Sequence, residues 1–135
     1  MNFPRKILLT DDEPHIRKFI ALVLRKFGDP QILEAGDGAV AVQLYAQERP
    51  DLVLLDVNMP NMDGLQALER IRRLDPDALV VMLTSLANRQ TVEECLRLGA
   101  ADYLRKDTPR EELTARFEEI IADCFGDAGE PETPA

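Results

Sequence analysis

The sequence predicts an α/β domain: a parallel β-sheet with helices on both faces. Short apolar runs alternate with longer amphipathic ones along the whole chain. Several of the short runs are apolar on both faces, as central parallel strands are when helices cover them. Repeated strand–helix alternation then implies right-handed crossovers between neighbouring parallel strands.

Each element follows in order from the residues. Ile7-Leu8-Leu9 reads as the first strand. Ile16, Phe19, Ile20, Val23, Leu24 and Phe27 recur at the spacing of one helix face, and Gly28-Asp29-Pro30 ends that helix. Ile32-Leu33 is the second strand, after which Asp37-Gly38 opens a helix carrying Val40, Ala41 and Leu44. Leu52-Val53-Leu54-Leu55 is the third strand, followed by a helix on Leu65, Leu68 and Ile71. Leu79-Val80-Val81-Met82-Leu83 is the fourth. Its helix has a narrower stripe of Val92, Cys95 and Leu96, and Gly99 stands where a left-handed cap is wanted. Tyr103-Leu104 is the fifth strand. The last helix buries Leu113, Phe117, Ile120, Ile121 and Cys124, and its start reads as a capping box with Thr108 as N-cap, Pro109 at the first helical position and Glu111 three residues on. Beyond Phe125 the chain carries no large apolar residue. The expected organisation is one domain over 1–125 and a disordered acidic tail over 126–135.

A chain of 135 residues buries one core, so one domain must carry the function, and a stand-alone module is expected. The net charge of −9 and scattered basic residues disfavour nucleic acid and acidic membrane surfaces, and 5% aromatic content without Trp offers no platform for stacking bases. No apolar run approaches the roughly 20 residues that span a bilayer, and no cleavage site precedes the first strand, so a cytoplasmic protein is expected. Cys95 and Cys124 lack a second Cys or His at ligand spacing and read as buried thiols. His15, the single histidine, reads as a surface residue of the first helix.

Ligands of parallel sheets bind outside the carboxyl ends of the strands. Polar residues gather at those ends here: Thr10-Asp11-Asp12-Glu13-Pro14, Asp56-Val57-Asn58-Met59-Pro60, Thr84-Ser85, and Tyr103 through Lys106. Singly, each has an ordinary role, the aspartates as helix caps and Lys106 as a solvated charge. Jointly they describe a site. If the first and third strands are neighbours, Asp11, Asp12 and Asp56 meet in a small space, where like charges disfavour one another unless a cation sits among them. Oxygen ligands of this kind suit Mg²⁺. A carboxylate so placed can act as nucleophile toward a phosphoryl group, giving an acyl phosphate. Asp56 fits the nucleophile, with Lys106 and Thr84 meeting phosphoryl oxygens.

The motifs Leu8-Leu9-Thr10-Asp11-Asp12-Glu13-Pro14, Leu54-Leu55-Asp56-Val57-Asn58-Met59-Pro60-Asn61-Met62-Asp63-Gly64, Leu83-Thr84-Ser85 and Gly99-Ala100-Ala101-Asp102-Tyr103-Leu104-Arg105-Lys106 resemble the receiver domains of bacterial two-component response regulators, most closely the single-domain chemotaxis type. The resemblance covers about residues 5–125. It implies strand order 2-1-3-4-5 in a flavodoxin-like three-layer sandwich with five helices. It implies Asp56 as phospho-acceptor, Asp12 as direct Mg²⁺ ligand, Asp11 as a ligand through water and Asn58 as a ligand through its backbone carbonyl. Thr84 and Tyr103 would form the switch, and Asn58 and Leu86 would influence acyl-phosphate lifetime. Implied partners are a histidine kinase or histidine phosphotransfer protein, and a target that reads the face of the fourth helix, fifth strand and fifth helix. One departure stands out, since the family usually has Pro after the Lys and this chain has Asp107. A trans bond is expected there, and Asp107 adds a negative charge placed to pair with Lys106.

Two other functions of the same architecture fit less well. A flavin carrier needs an uncharged loop after the first strand, where Asp11-Asp12-Glu13 would repel its phosphate. A Mg²⁺-dependent phosphohydrolase with an aspartyl nucleophile commonly needs a carboxylate two residues later, where Asn58 stands. An unphosphorylated pseudo-receiver acting as a docking module is supported only by the missing Pro.

Overall fold

The computed structural model describes residues 3–59, 62–85 and 89–125. The tail expected over 126–135 and the position of Leu86 lie outside the described residues. The elements run β1 (Lys6–Thr10), α1 (Pro14–Leu24), β2 (Gln31–Ala35), α2 (Gly38–Glu48), β3 (Leu52–Asp56), α3 (Gly64–Leu74), β4 (Val80–Thr84), α4 (Arg89–Arg97), β5 (Asp102–Arg105) and α5 (Arg110–Cys124). The sheet is parallel throughout, in the order β2-β1-β3-β4-β5.

Strand alternation sorts the apolar residues into two layers. Leu8, Val53, Leu55, Val80 and Met82 face Ala41 and Tyr45 of α2, Ala67, Leu68 and Ile71 of α3, and Cys95 of α4. Ile7, Leu9, Leu52, Leu54, Val81, Leu83 and Leu104 face Ile20, Val23 and Leu24 of α1 and Leu113, Phe117 and Ile120 of α5. β3 and β4 are buried along their whole length, which is why they read in the sequence as continuous apolar runs rather than alternating ones.

Four local expectations need correction. α1 stops at Leu24, and Phe27 lies in the following turn, where its amide donates to the Leu24 carbonyl and its ring stacks on Phe3 at 6.2 Å. In α2, Val40 is exposed and Tyr45 takes the buried position, because its phenol reaches Asp75 at 2.7 Å and so satisfies the one polar atom it brings inward. In α4, Leu96 faces outward, while Cys95 and the following Leu98 supply the packing. The proposed capping box is absent: α5 begins at Arg110, Pro109 is the cap residue, and no side-chain cap bond forms. The Thr108 amide instead donates to the Arg105 carbonyl in the turn that leaves β5. Asp37-Gly38 does open α2, with Asp37 as its cap, the carboxylate accepting from the Val40 amide at 2.9 Å. Gly99 closes α4 at φ +105°, a conformation that favours glycine.

Candidate functional site

Strand register places the acidic residues. Thr10 lies opposite Leu55 across the β1–β3 pair, so Asp11 and Asp56, one residue further on, leave the sheet side by side. The Asp11 amide donates to the Ala35 carbonyl at 3.1 Å, continuing the β1–β2 ladder by one step. The Val57 amide does the same beside Asp56, to Leu83 at 2.9 Å. After Asp56 the chain turns back tightly, with the Gly64 amide bonded to the Val57 carbonyl. A Cβ at Gly64 would lie 2.0 Å from the Asp56 carbonyl oxygen, so only glycine lets α3 start this close to the acidic strand end.

One carboxylate oxygen from each of Asp11, Asp12 and Asp56 lies within 4.8 Å of the others. Asp11 and Asp56 are buried and Asp12 is exposed. Lys106 follows β5, its amide tied to the Thr84 carbonyl at 2.8 Å, and its ammonium reaches back to Asp11 Oδ2 at 2.9 Å and Asp56 Oδ2 at 3.1 Å. Glu13, half exposed, stands 3.5 Å from the same Nζ. The Asn58 amide donates to Asp56 Oδ1 at 3.3 Å. Thr84 ends β4, buried, one residue beyond the partner of Asp56. Tyr103 sits half-buried in β5, opposite Met82, and packs on the α2–α3–α4 layer.

Electrostatics at the cluster are unbalanced. Burial, and then the neighbouring Asp11 charge, push the Asp56 carboxyl up to about 6, although Lys106 and the Asn58 amide pull the other way. Burial opposes the charge on Lys106, yet its hydrogen bonds to Asp11 and Asp56 raise it to about 12. The clustered carboxylates, with Glu13 beside them, therefore outnumber the Lys106 ammonium. That surplus of negative charge favours a bound cation. The donor set consists of hard oxygens within mutual reach, which fits Mg²⁺ rather than a soft or nitrogen-preferring metal.

The sequence-predicted residues Asp11, Asp12, Asp56 and Lys106 thus come together, with the Asn58 amide on Asp56 and Thr84 ending the adjacent strand. Asp107 does not join them. Its carboxylate pairs with Arg105, at 2.8 and 3.1 Å, and the bond before it is trans. Sequence reasoning missed Arg17, whose guanidinium donates to the Asp11 carbonyl at 2.6 Å and to Glu34 of β2 at 2.7 Å. In the sequence it is one more charge on the polar side of an amphipathic helix, and nothing local separates it from a solvated one.

Relatives share this arrangement of elements. Residues 7–118 match the family described as Response regulator receiver domain. The chain is 37% identical over 101 residues to the chemotaxis protein CheY of Bacillus subtilis, covering 75% of this chain and 84% of that one. It is 41% identical over 128 residues to the transcriptional regulatory protein PdtaR of Mycobacterium tuberculosis, covering 88% of this chain but only 61% of that longer relative. Among solved structures, the CheX–CheY–BeF₃–Mg²⁺ complex from Borrelia burgdorferi contains a chain that superposes with a TM-score of 0.81 at 31% identity, over 88% of this chain and 90% of that one. With the strand order, the strand-end acids and the matched span in agreement, the chain belongs to the response regulator receiver domain family and is a component of two-component signal transduction.

Proposed function

We propose that Asp56 is the phospho-acceptor of this receiver domain, that Mg²⁺ is its cofactor, and that the domain promotes its own phosphorylation and dephosphorylation. The carrying observation is the convergence of Asp11, Asp12 and Asp56 within 4.8 Å, with the Lys106 ammonium between Asp11 and Asp56. A carboxylate oxygen of Asp56 attacks phosphorus in line with the donor. The new bond is a carboxyl–phosphoryl anhydride, and the donor's bond to phosphorus breaks with its electron pair leaving on the donor. On a histidine kinase or histidine phosphotransfer protein that leaving group is imidazole, an implied partner whose chemistry suits an acidic, cation-requiring acceptor.

Asp12, Asp11, Asp56 and the Asn58 carbonyl would hold Mg²⁺, which neutralises charge on the transferring oxygens. Lys106 shifts from its contact on Asp56 to a phosphoryl oxygen, keeping its hold on Asp11. Thr84, ending the next strand, offers a hydroxyl to another oxygen. A phosphoryl group adds charge at this strand end, and the Thr84–Tyr103 pair converts the addition into a change on the α4–β5–α5 face, where a target protein would read it. The relative solved with BeF₃ and Mg²⁺ supports the metal assignment. The residue set, within 1–125, is proposed to act as one domain, and no helix among the described residues is long and apolar enough to cross a membrane.

The test is incubation with Mg²⁺ and acetyl phosphate followed by mass spectrometry of borohydride-trapped peptides. Borohydride reduces an acyl phosphate to the alcohol with loss of phosphate, so homoserine in place of Asp56 is expected, dependent on Mg²⁺ and absent from Asp56→Asn. An unmodified wild-type chain, or equal labelling of Asp56→Asn, overturns the assignment.

A further inference from the structure

The Asp12 carboxylate poses a positioning problem that its own contacts do not solve. Asp11 is anchored three ways: its amide on Ala35, its Oδ1 accepting from the Glu13 amide at 2.9 Å, and its Oδ2 on Lys106. Asp12 is exposed, and among the described residues its side chain has no hydrogen-bond partner. Its direction depends on the backbone that carries it. The flanking Asp11 and Glu13 amides are bonded, and the Asp11–Asp12 peptide itself is gripped at the Asp11 carbonyl, which lies in the same rigid plane as the Asp12 amide. The grip is the Arg17 guanidinium, at 2.6 Å.

Arg17 is itself immobilised. It sits in the first turn of α1, where its amide donates to the Glu13 carbonyl at 3.2 Å, and its Nε donates to Glu34 Oε1 at 2.7 Å. Its side chain is 18% exposed. The planar fork of a guanidinium can hold a carbonyl and a carboxylate at once, which an ammonium at the end of a flexible stem cannot do in the same geometry. The fork therefore ties three pieces together: the turn after β1, the first turn of α1, and the edge strand β2.

We infer that Arg17, clamped by Glu34, is a positioning residue for the cation end of the site, holding the Asp11–Asp12 peptide so that the Asp12 carboxylate is aimed at Asp11 and Asp56 before the metal arrives. The inference rests on the Mg²⁺ reading above and extends it to a pair that touches neither metal nor phosphoryl group. Groups that orient metal ligands from behind typically contribute about 10–100-fold to affinity. Because Arg17 acts through the backbone, the lower end applies, about tenfold. A rival account makes Arg17 a mere local charge. That account predicts the opposite sign, since removing a positive charge beside an acidic cluster favours a cation.

The experiment is Mg²⁺ binding to the full chain by isothermal titration calorimetry, with thermal melting in EDTA and in Mg²⁺. The decisive variant combines Arg17→Met with Glu34→Gln, removing one positive and one negative charge so that the local net charge is unchanged. Expected is a Mg²⁺ dissociation constant raised about tenfold, with a smaller Mg²⁺-induced rise in melting temperature than in wild type. A variant that melts lower in EDTA but binds Mg²⁺ like wild type has lost only structure, and overturns the inference while the Mg²⁺ reading stands. A wild-type chain that does not bind Mg²⁺ overturns both. Should the double variant not fold, Arg17→Lys, which keeps the charge and loses the fork, is read by the same criterion: weakened binding supports the clamp and unchanged binding refutes it.

Discussion

Neutralising Asp56 should stabilise the metal-free protein, and the gain should depend on pH in a defined direction. Burial and the Asp11 charge raise the Asp56 carboxyl from 3.8 to about 6 in the folded chain. A carboxyl raised in this way favours the folded state while protonated. Its contribution is fully present below about pH 4 and is lost as pH rises through about 6. Each tenfold change in the proton equilibrium is worth about 1.4 kcal/mol, so keeping Asp56 ionised costs about 3 kcal/mol at pH 7.5 and roughly half that at pH 5. Asp56→Asn removes that cost but weakens the Lys106 contact at 3.1 Å and introduces an amide N–H₂ to be satisfied. The net gain at pH 7.5 in EDTA should be about 1–2 kcal/mol, falling close to zero by pH 5. Urea denaturation followed by far-ultraviolet circular dichroism measures it, the chain having no Trp to report by fluorescence. Saturating the wild type with Mg²⁺ at ten times its dissociation constant adds about 1.4 kcal/mol to the wild type and should close most of the gap. A variant less stable than wild type at pH 7.5 in EDTA, or an advantage independent of pH, would show that the crowded carboxylates are not the source of strain.

Three further outcomes follow from single contacts. Thr10 is fully buried, and among the described residues its hydroxyl has no hydrogen-bond partner; Thr10→Val should raise stability by about 1 kcal/mol, seen as a higher urea midpoint at unchanged slope. Asp37→Ala removes a working helix cap and should cost about 1 kcal/mol, whereas Thr108→Ala, where no cap bond exists, should stay within about 0.5 kcal/mol in the same assay. Burial, and then Asp75, push the Tyr45 phenol up to about 12. Stability from that group is fully present below about pH 10 and lost as pH rises through about 12. Absorbance titration at alkaline pH should show one late-ionising tyrosine that is missing in Tyr45→Phe, and the wild-type urea midpoint should fall more steeply than the variant's above pH 10.

What the sequence made legible and what it hid divide along the range of the interactions. Element identity depends on periodicity within a dozen residues, and the continuous apolar runs of β3 and β4 could be read because both faces of those strands are covered. The acidic cluster was legible because a parallel sheet brings its strand ends to one edge, whatever the lengths of the intervening helices. The errors occurred where a residue's role is settled by a partner far along the chain. Tyr45 was missed because its inward turn depends on Asp75, 30 residues away. Arg17 was missed because its two partners, Asp11 and Glu34, converge only once β1 and β2 pair. The Thr108 motif failed for a different reason: its amide is already committed to the Arg105 carbonyl in the turn after β5, and the helix starts two residues later.

That same turn explains how Lys106 reaches its place without the proline that usually follows. Three features fix its backbone upstream of Asp107: Leu104 is buried against the α1–α5 layer, Arg105 pairs in register with Thr84, and the Lys106 amide donates to the Thr84 carbonyl. From that point the side chain crosses the end of β4 to Asp11 and Asp56. Downstream, Asp107 turns outward onto Arg105, an exposed pair that keeps its negative charge off the ammonium. Exposed pairs of this kind contribute little stability, so the use of the Arg105–Asp107 contact is to hold the Asp107 carboxylate away from Lys106, whose ammonium faces Asp11, Asp56 and Glu13. Strand pairing, rather than a constrained bond after the lysine, sets the cation in position, and so a chain lacking the proline still assembles the full charged constellation.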